Sequence, residues 1–433
     1  TPEPTTTTPE PTTQTPEPTT TTPEPTTQTP EPTTTTPEPT TQTPEPTTAT
    51  PEPTTQTPES TTTTPEPTTE TTIPTDIPTD TPPPGIPVTG GDPVVLPAFA
   101  FVIPVTGGQP IITAGLGHTC MTVADEVYCW GLNISGQVGN GNNENQLQPV
   151  KVLHVRNVVD LTSGSEFSCA LTADGNIWCW GKNDSGQLGD GTTHNRSTPV
   201  LVKGLPAFAT GFTAGEAFTC AELENNETWC WGNNEFGQIN DGSKTNRDLP
   251  VKTLFDQNQN LISGGNNYLL GENSGDLAAW MTGNSQIVSD MFFPQAISAN
   301  RFLSGGCAVT FAGTVNCWGN DFNLVDIQNI STAVEVGTGL EYGCSVNEDL
   351  TVSCWGANYF GQLGNGTNDD SVPATNVNNI TDVRALAVGA LHTCVLVGDD
   401  FNAYCWGANP FGQLGNNSTD NNPEPVFVSL SNR

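Results

Sequence analysis

The stretch that decides the fold is Cys169-Ala-Leu-Thr-Ala-Asp-Gly-Asn-Ile-Trp-Cys179-Trp-Gly181, followed by Asn183 and Gly186-Gln-Leu-Gly189. Cys-Ala-Leu-Thr reads as an extended run, and Asp174-Gly175 as a hairpin turn whose glycine supplies a positive φ. Ile-Trp-Cys-Trp reads as the returning strand, rich in β-formers. The two cysteines thus fall on paired antiparallel strands, close enough across the ladder for a disulfide.

The same frame recurs from Cys120, Cys220, Cys307, Cys344 and Cys394, each copy ending in Cys-Trp-Gly at Trp130, Trp231, Trp318, Trp355 and Trp406. A degenerate copy runs from Leu269 to Trp280, with Leu269 expected at the first cysteine position and Ala279 at the second. Losing both partners together is what a disulfide within each copy predicts. The expected pairs are Cys120–Cys129, Cys169–Cys179, Cys220–Cys230, Cys307–Cys317, Cys344–Cys354 and Cys394–Cys405. Zinc sites favour closer ligand spacing, and twelve cysteines leave no odd catalytic thiol. Such cysteine use points to an oxidising compartment, so the chain is expected to be secreted or at the cell surface, its numbering starting after a removed signal.

Cys-Trp-Gly-x-Asn together with Gly186–Gly189, Gly361–Gly364 and Gly412–Gly415 resembles the repeat of the RCC1 (regulator of chromosome condensation) family. Gly136-Gln-Val-Gly139 is a close variant and Gly237-Gln-Ile-Asn240 a looser one. The resemblance covers about 111–433. It implies an all-β fold, a seven-bladed β-propeller of four-stranded blades. A Pro-Val strand follows each loop, at Pro149, Pro199 and Pro250, and the last, Pro425–Leu430, is expected to complete the first blade and close the ring. Known members include exchange factors for a small GTPase, chromatin binders and secreted inhibitors, so function has to be argued from this chain's own residues.

Residues 1–84 are of another kind. Pro-Glu-Pro-Thr-Thr-X-Thr repeats from Pro2 to the unit starting at Pro65, with Ser60 replacing one proline. No apolar residue is available for a core, and two prolines per heptad exclude a coiled coil and favour polyproline II. At about 3.1 Å per residue the arm would reach roughly 200 Å. Dense Thr beside Pro is the composition of O-glycosylated stalks, with Thr5, Thr6, Thr8, Thr12, Thr13, Thr15, Thr19 and Thr20 as the first acceptors. Residues 85–110 form an apolar linker. Its segment Val94-Val95-Leu96-Pro-Ala-Phe99-Ala-Phe101-Val102-Ile103 is apolar on both faces and is expected to be buried on its own propeller or on a second subunit.

The net charge is -35, from 46 acidic and 11 basic residues, and no Lys or Arg precedes Lys151. A nucleic-acid partner needs clustered cations, so none is expected, nor is direct membrane insertion. No catalytic or metal constellation is apparent, and no cofactor is expected. His118 and His392 occupy a repeat position and read as structural. Sequons stand at Asn133, Asn183, Asn195, Asn226, Asn329, Asn365, Asn379, Asn416 and Asn417, so covalent glycans are expected. The chain is therefore read as a non-enzymatic extracellular structural glycoprotein. It would self-associate into a filament or surface appendage. The alternative is a stalked adhesion head for a protein or glycan, and in both the irregular fourth and fifth copies mark a candidate docking face.

Overall fold

In each copy the run from the first cysteine, the hairpin and the returning Cys-Trp run fold as the middle of a four-stranded antiparallel sheet. In the computed structural model, residues 110–430 are described, apart from 125, 255–261, 274–275, 282–283, 293, 304 and 320–322. Among the described residues seven such sheets follow one another, here called blades 1–7. Blade 1 comprises Ile112–Ala114, His118–Val123, Glu126–Gly131 and Gln146–Arg156. The innermost strands of blades 2–7 are Val158–Ser163, Ala209–Ala214, Ile262–Gly264, Ala296–Ala299, Ala333–Thr338 and Val383–Val388. These inner strands touch their neighbours around a common axis, and the inner strand of blade 7 touches that of blade 1.

Six blades hold the cysteine pairs expected from the sequence, with Cα atoms 4.0–4.1 Å apart. In each of these blades the two cysteines face each other in register across the second and third strands. Blade 4 corrects the sequence reading by one residue. Leu269 lies opposite Trp280, and it is Leu270 that faces Ala279 at the disulfide position. A buried leucine side chain fills the space there.

Closure also differs from the expectation. The outer strand Asn422–Phe427 pairs with Asn402–Gly407 of its own blade, and blade 1 supplies all four of its own strands. Strand exchange is unnecessary because the join between blades 7 and 1 repeats the contacts made elsewhere. The loop Gly-Gln-Leu-Gly of one blade presents its Gln carbonyl to the indole N–H of the next blade's tryptophan. Trp180 Nε1 donates to Gln137 O at 2.9 Å, Trp231 to Gln187 O at 2.9 Å and Trp406 to Gln362 O at 2.9 Å. At the join, Trp130 donates to Gln413 O at 2.8 Å. The second glycine of the loop lies against that indole. A Cβ on Gly189 would come within 2.8 Å of Trp231 Nε1, which is why no larger residue fits.

A second belt runs at the inner turns, written Gly-x-x-aromatic at Gly115–His118, Gly164–Phe167, Gly215–Phe218, Gly265–Tyr268, Gly339–Tyr342 and Gly389–His392. The glycine admits the ring: a Cβ on Gly164 would fall 1.9 Å from Phe167 Cε1. Backbone bonds link the turns, as in Leu116 N–H to Ser165 O at 2.8 Å, Ser165 to Glu216 O at 3.0 Å and Glu216 to Gly265 O at 3.0 Å. Asn266 N–H to Asn300 O, Asn300 Nδ2 to Gly339 O, Leu340 N–H to Ala390 O and Ala390 N–H to Gly115 O complete the circle.

Removing one interlocking indole should therefore destabilise the ring severely. Trp180→Ala is expected to cost about 3–5 kcal/mol, the range for a large buried aromatic. Removing one disulfide, as in Cys169→Ala with Cys179→Ala, should cost about 2–3 kcal/mol, as expected for a loop of this length. Denaturant unfolding of the purified wild type beside each variant measures both.

Candidate binding face and axial channel

In the five regular blades, the asparagine of Cys-Trp-Gly-x-Asn organises the loop that follows it. Asn183 is fully buried; its Oδ1 accepts from Leu188 N–H at 2.9 Å, and its Nδ2 donates to Thr192 O at 2.9 Å and His194 O at 3.1 Å. Asn133 is buried likewise, with Oδ1 accepting from Val138 N–H and Nδ2 donating to the carbonyls of Asn142 and Glu144. Asn234, Asn358 and Asn409 make the same bonds to Ile239, Leu363 and Leu414, and none of these three begins a sequon. The position is structural. Asn133 and Asn183 are thus corrected as glycan acceptors, because the nitrogen that a sugar would take is already donating inside the loop. Asn195, Asn226, Asn329, Asn379 and Asn417 are exposed, while Asn365 and Asn416 are half-buried. The threonines Thr5–Thr20, the heptad arm and Val94–Ile103 lie outside the described residues.

The residue after this asparagine projects from the loop face. Ile134 is 62% exposed in blade 1 and Tyr359 66% exposed in blade 6. Pro410 of blade 7 is exposed at the same position. Blades 6, 7 and 1 are consecutive in the ring, so one apolar group from each forms an arc. Phe360 and Phe411 stand beside it, half-buried. In blades 2 and 3 the position holds Asp184 and Glu235. The apolar side therefore does not coincide with the irregular blades 4 and 5 that the sequence singled out. In blade 5, Trp318 Nε1 is buried without an acceptor among the described residues.

His118 and His392 are fully buried at the inner turns. His118 Nε2 meets Ser168 Oγ at 2.9 Å, and His392 Nε2 meets Thr119 Oγ1 at 2.9 Å, so each ring fastens its blade to the next. Burial drives both down to about 3, with the charges of His392 and Arg301 adding at His118. Burial raises Asp160, Glu222 and Glu335 to about 7.

Arg301 is the candidate site residue that the sequence reading missed. In blade 5 the turn reads Asn300-Arg301-Phe302 where other blades carry Gly-x-x-aromatic, and that departure was its only signal. From there Arg301 spans the axis. Its Nη1 donates to Ala114 O of blade 1 at 3.0 Å and to Ser163 O of blade 2 at 2.6 Å. It borders an axial cavity of about 230 Å³. Burial alone lowers its guanidinium to about 10, which leaves it charged at neutral pH.

These sheets define an all-β propeller of RCC1-like fold. Sequence and structure comparisons agree. The regulator of chromosome condensation (RCC1) repeat matches residues 124–171, 174–221, 351–396 and 402–433, and a second form of it matches 158–187. The chain thus carries RCC1 repeats. It is 25% identical over 346 residues to the ultraviolet-B receptor UVR8 of Arabidopsis thaliana, covering 74% of this chain and 70% of that protein. Over 185 residues it is 26% identical to the human E3 ubiquitin-protein ligase HERC2, covering 39% of this chain and 4% of that protein's length. Among solved structures, yeast RCC1 (Prp20) bound to Kap60 superposes with a TM-score of 0.62 at 17% identity, covering 74% of this chain and 86% of that one. A second structure, Prp20p of Saccharomyces cerevisiae, gives the same score at 17% identity, covering 74% of this chain and 88% of that one.

Two outcomes test this subsection. Glycopeptide mapping of the native protein should find sugar at Asn226, Asn329, Asn379 or Asn417 and none at Asn133 or Asn183; a glycan on Asn183 would contradict the buried donor geometry. The histidines give a pH dependence. Their folded pKa values lie below the ordinary 6.5, so the unfolded chain binds more protons and stability falls as pH drops from 6.5 towards 3. The three raised carboxylates act in the opposite sense, stabilising below about 4 and ceasing to do so as pH rises through 7. His392→Gln should therefore flatten the stability curve between pH 4 and 6 by about 1.4 kcal/mol per pH unit relative to wild type. Parallel curves would show that His392 is not buried neutral.

Proposed function

We propose that the protein is a non-catalytic extracellular structural glycoprotein, a closed seven-blade ring that assembles with copies of itself. The observation that carries this reading is the apolar arc of Ile134, Tyr359 and Pro410 on the loop face of an otherwise acidic chain. Exposed apolar groups gathered at one repeat position mark an interaction surface. The occupant is the chain's own apolar segment Val94–Ile103, which has matching character and needs cover. Assembly between copies is favoured by where the first strand begins. Ile112–Ala114 starts at the hairpin end of blade 1 and runs towards the loop face. Residues 104–110 can span at most about 25 Å and a six-residue strand rises about 20 Å, so docking within one chain needs that stretch almost fully extended. A second copy meets no such restriction.

Six disulfides support an oxidising, extracellular setting. The Thr/Pro arm, glycosylated, would space or coat the assembly. The alternative reading, a stalked adhesion head, uses the same arc for a different protein.

Sedimentation of the full-length chain separates them. Wild type should form concentration-dependent assemblies, and Ile134→Asp with Tyr359→Asp should sediment as single chains with an unchanged circular dichroism spectrum. Wild type that remains a single chain at every concentration would overturn self-assembly and leave the adhesion head.

A further inference from the structure

Among the described residues, the axial cavity has the composition of an anion site. Its walls are the inner strands of six blades, and no Asp or Glu lines it, although the chain carries 46 of them. Arg301 is the cation at its edge. One guanidinium nitrogen, Nη1, makes both carbonyl contacts, and among the described residues Nε and Nη2 have no protein acceptor. Most of the other Lys and Arg side chains pair with a carboxylate at the surface, as Arg196 does with Asp190 and Arg247 with Asp241.

The cavity wall completes the arrangement. Two residues before each inner turn stand Thr113, Thr162, Thr213, Ser263 and Ser298 in blades 1–5. In blades 3, 4 and 5 this hydroxyl is engaged with the next blade: Thr213 Oγ1 accepts from Gly264 N–H, Ser263 Oγ from Ala299 N–H and Ser298 Oγ from Thr338 N–H. Thr113 and Thr162 line the cavity, and their hydroxyls have no partner among the described residues. They belong to blades 1 and 2, whose carbonyls Arg301 reaches. A guanidinium with free donors therefore converges on the same side of the channel as two free hydroxyls, in a cavity that no Asp or Glu side chain lines among the described residues. A buried guanidinium without a counter-charge is costly, and a carboxylate accepts from such a fork.

We propose that the axial channel is a binding site for a small organic carboxylate, held by Arg301 with the hydroxyls of Thr113 and Thr162. It is distinct from the apolar arc on the loop face and does not depend on self-assembly. The test is titration of the full-length protein with carbon-13-labelled acetate, followed by NMR line width, beside the neutral isostere acetamide. Saturable binding of acetate and none of acetamide is expected. Arg301→Gln should weaken acetate at least tenfold. Arg301 also ties blades 1 and 2, so the pair Thr113→Val and Thr162→Val gives a reading that leaves that tether intact, with a loss of several-fold expected. Absence of saturable acetate binding by wild type overturns the proposal, as does undiminished binding by the threonine pair or by a folded Arg301→Gln. Displacement of acetate by chloride at equal concentration overturns its carboxylate selectivity.

Discussion

The hydrogen bond from a tryptophan indole to the glutamine carbonyl of the preceding blade holds four of the seven joins described, the closing one included. It joins a strand of one sheet to a loop of another, so it cannot form within a single repeat. Its geometry requires a glycine under the indole and a buried asparagine to shape the loop. These two demands account for Cys-Trp-Gly-x-Asn and Gly-Gln-Leu-Gly recurring together. They also explain why blade 7 can close on blade 1 by packing: Trp130 on Gln413 is the same join as Trp180 on Gln137. The disulfides act on a different scale. Each holds two strands inside one blade and none crosses an interface.

The sheets and their cysteine pairs were legible because they are local. A spacing of nine to eleven residues around a turn fixes the register of two strands. The shift from Leu269 to Leu270 came from anchoring the degenerate copy without a cysteine; the tyrosine of Gly265–Tyr268 would have given the right register. Closure was misjudged for a non-local reason. The last Pro-Val strand, Pro425–Leu430, was assigned to the first blade, whereas blade 1 owns an outer strand of eleven residues, Gln146–Arg156.

The candidate sites divide in the same way. Sequons are readable from three residues, but burial is not, and Asn133 and Asn183 serve the loops instead. The loop-face arc depends on which blades become neighbours when the ring closes, so Tyr359, Pro410 and Ile134 are far apart in sequence until closure is known. Arg301 reaches carbonyls 187 and 138 residues away. No local pattern could announce that contact. The axial cavity brings Arg301 of blade 5 beside Thr113 and Thr162 of two other blades.

Exchange of the indole N–H protons with deuterated solvent, followed by NMR, tests the ring most directly. The account predicts that the Trp130 indole, at the join of the first and last blades, exchanges as slowly as those of Trp180, Trp231 and Trp406. Rapid exchange at Trp130 alone, with the other three protected, would contradict closure through this interlock.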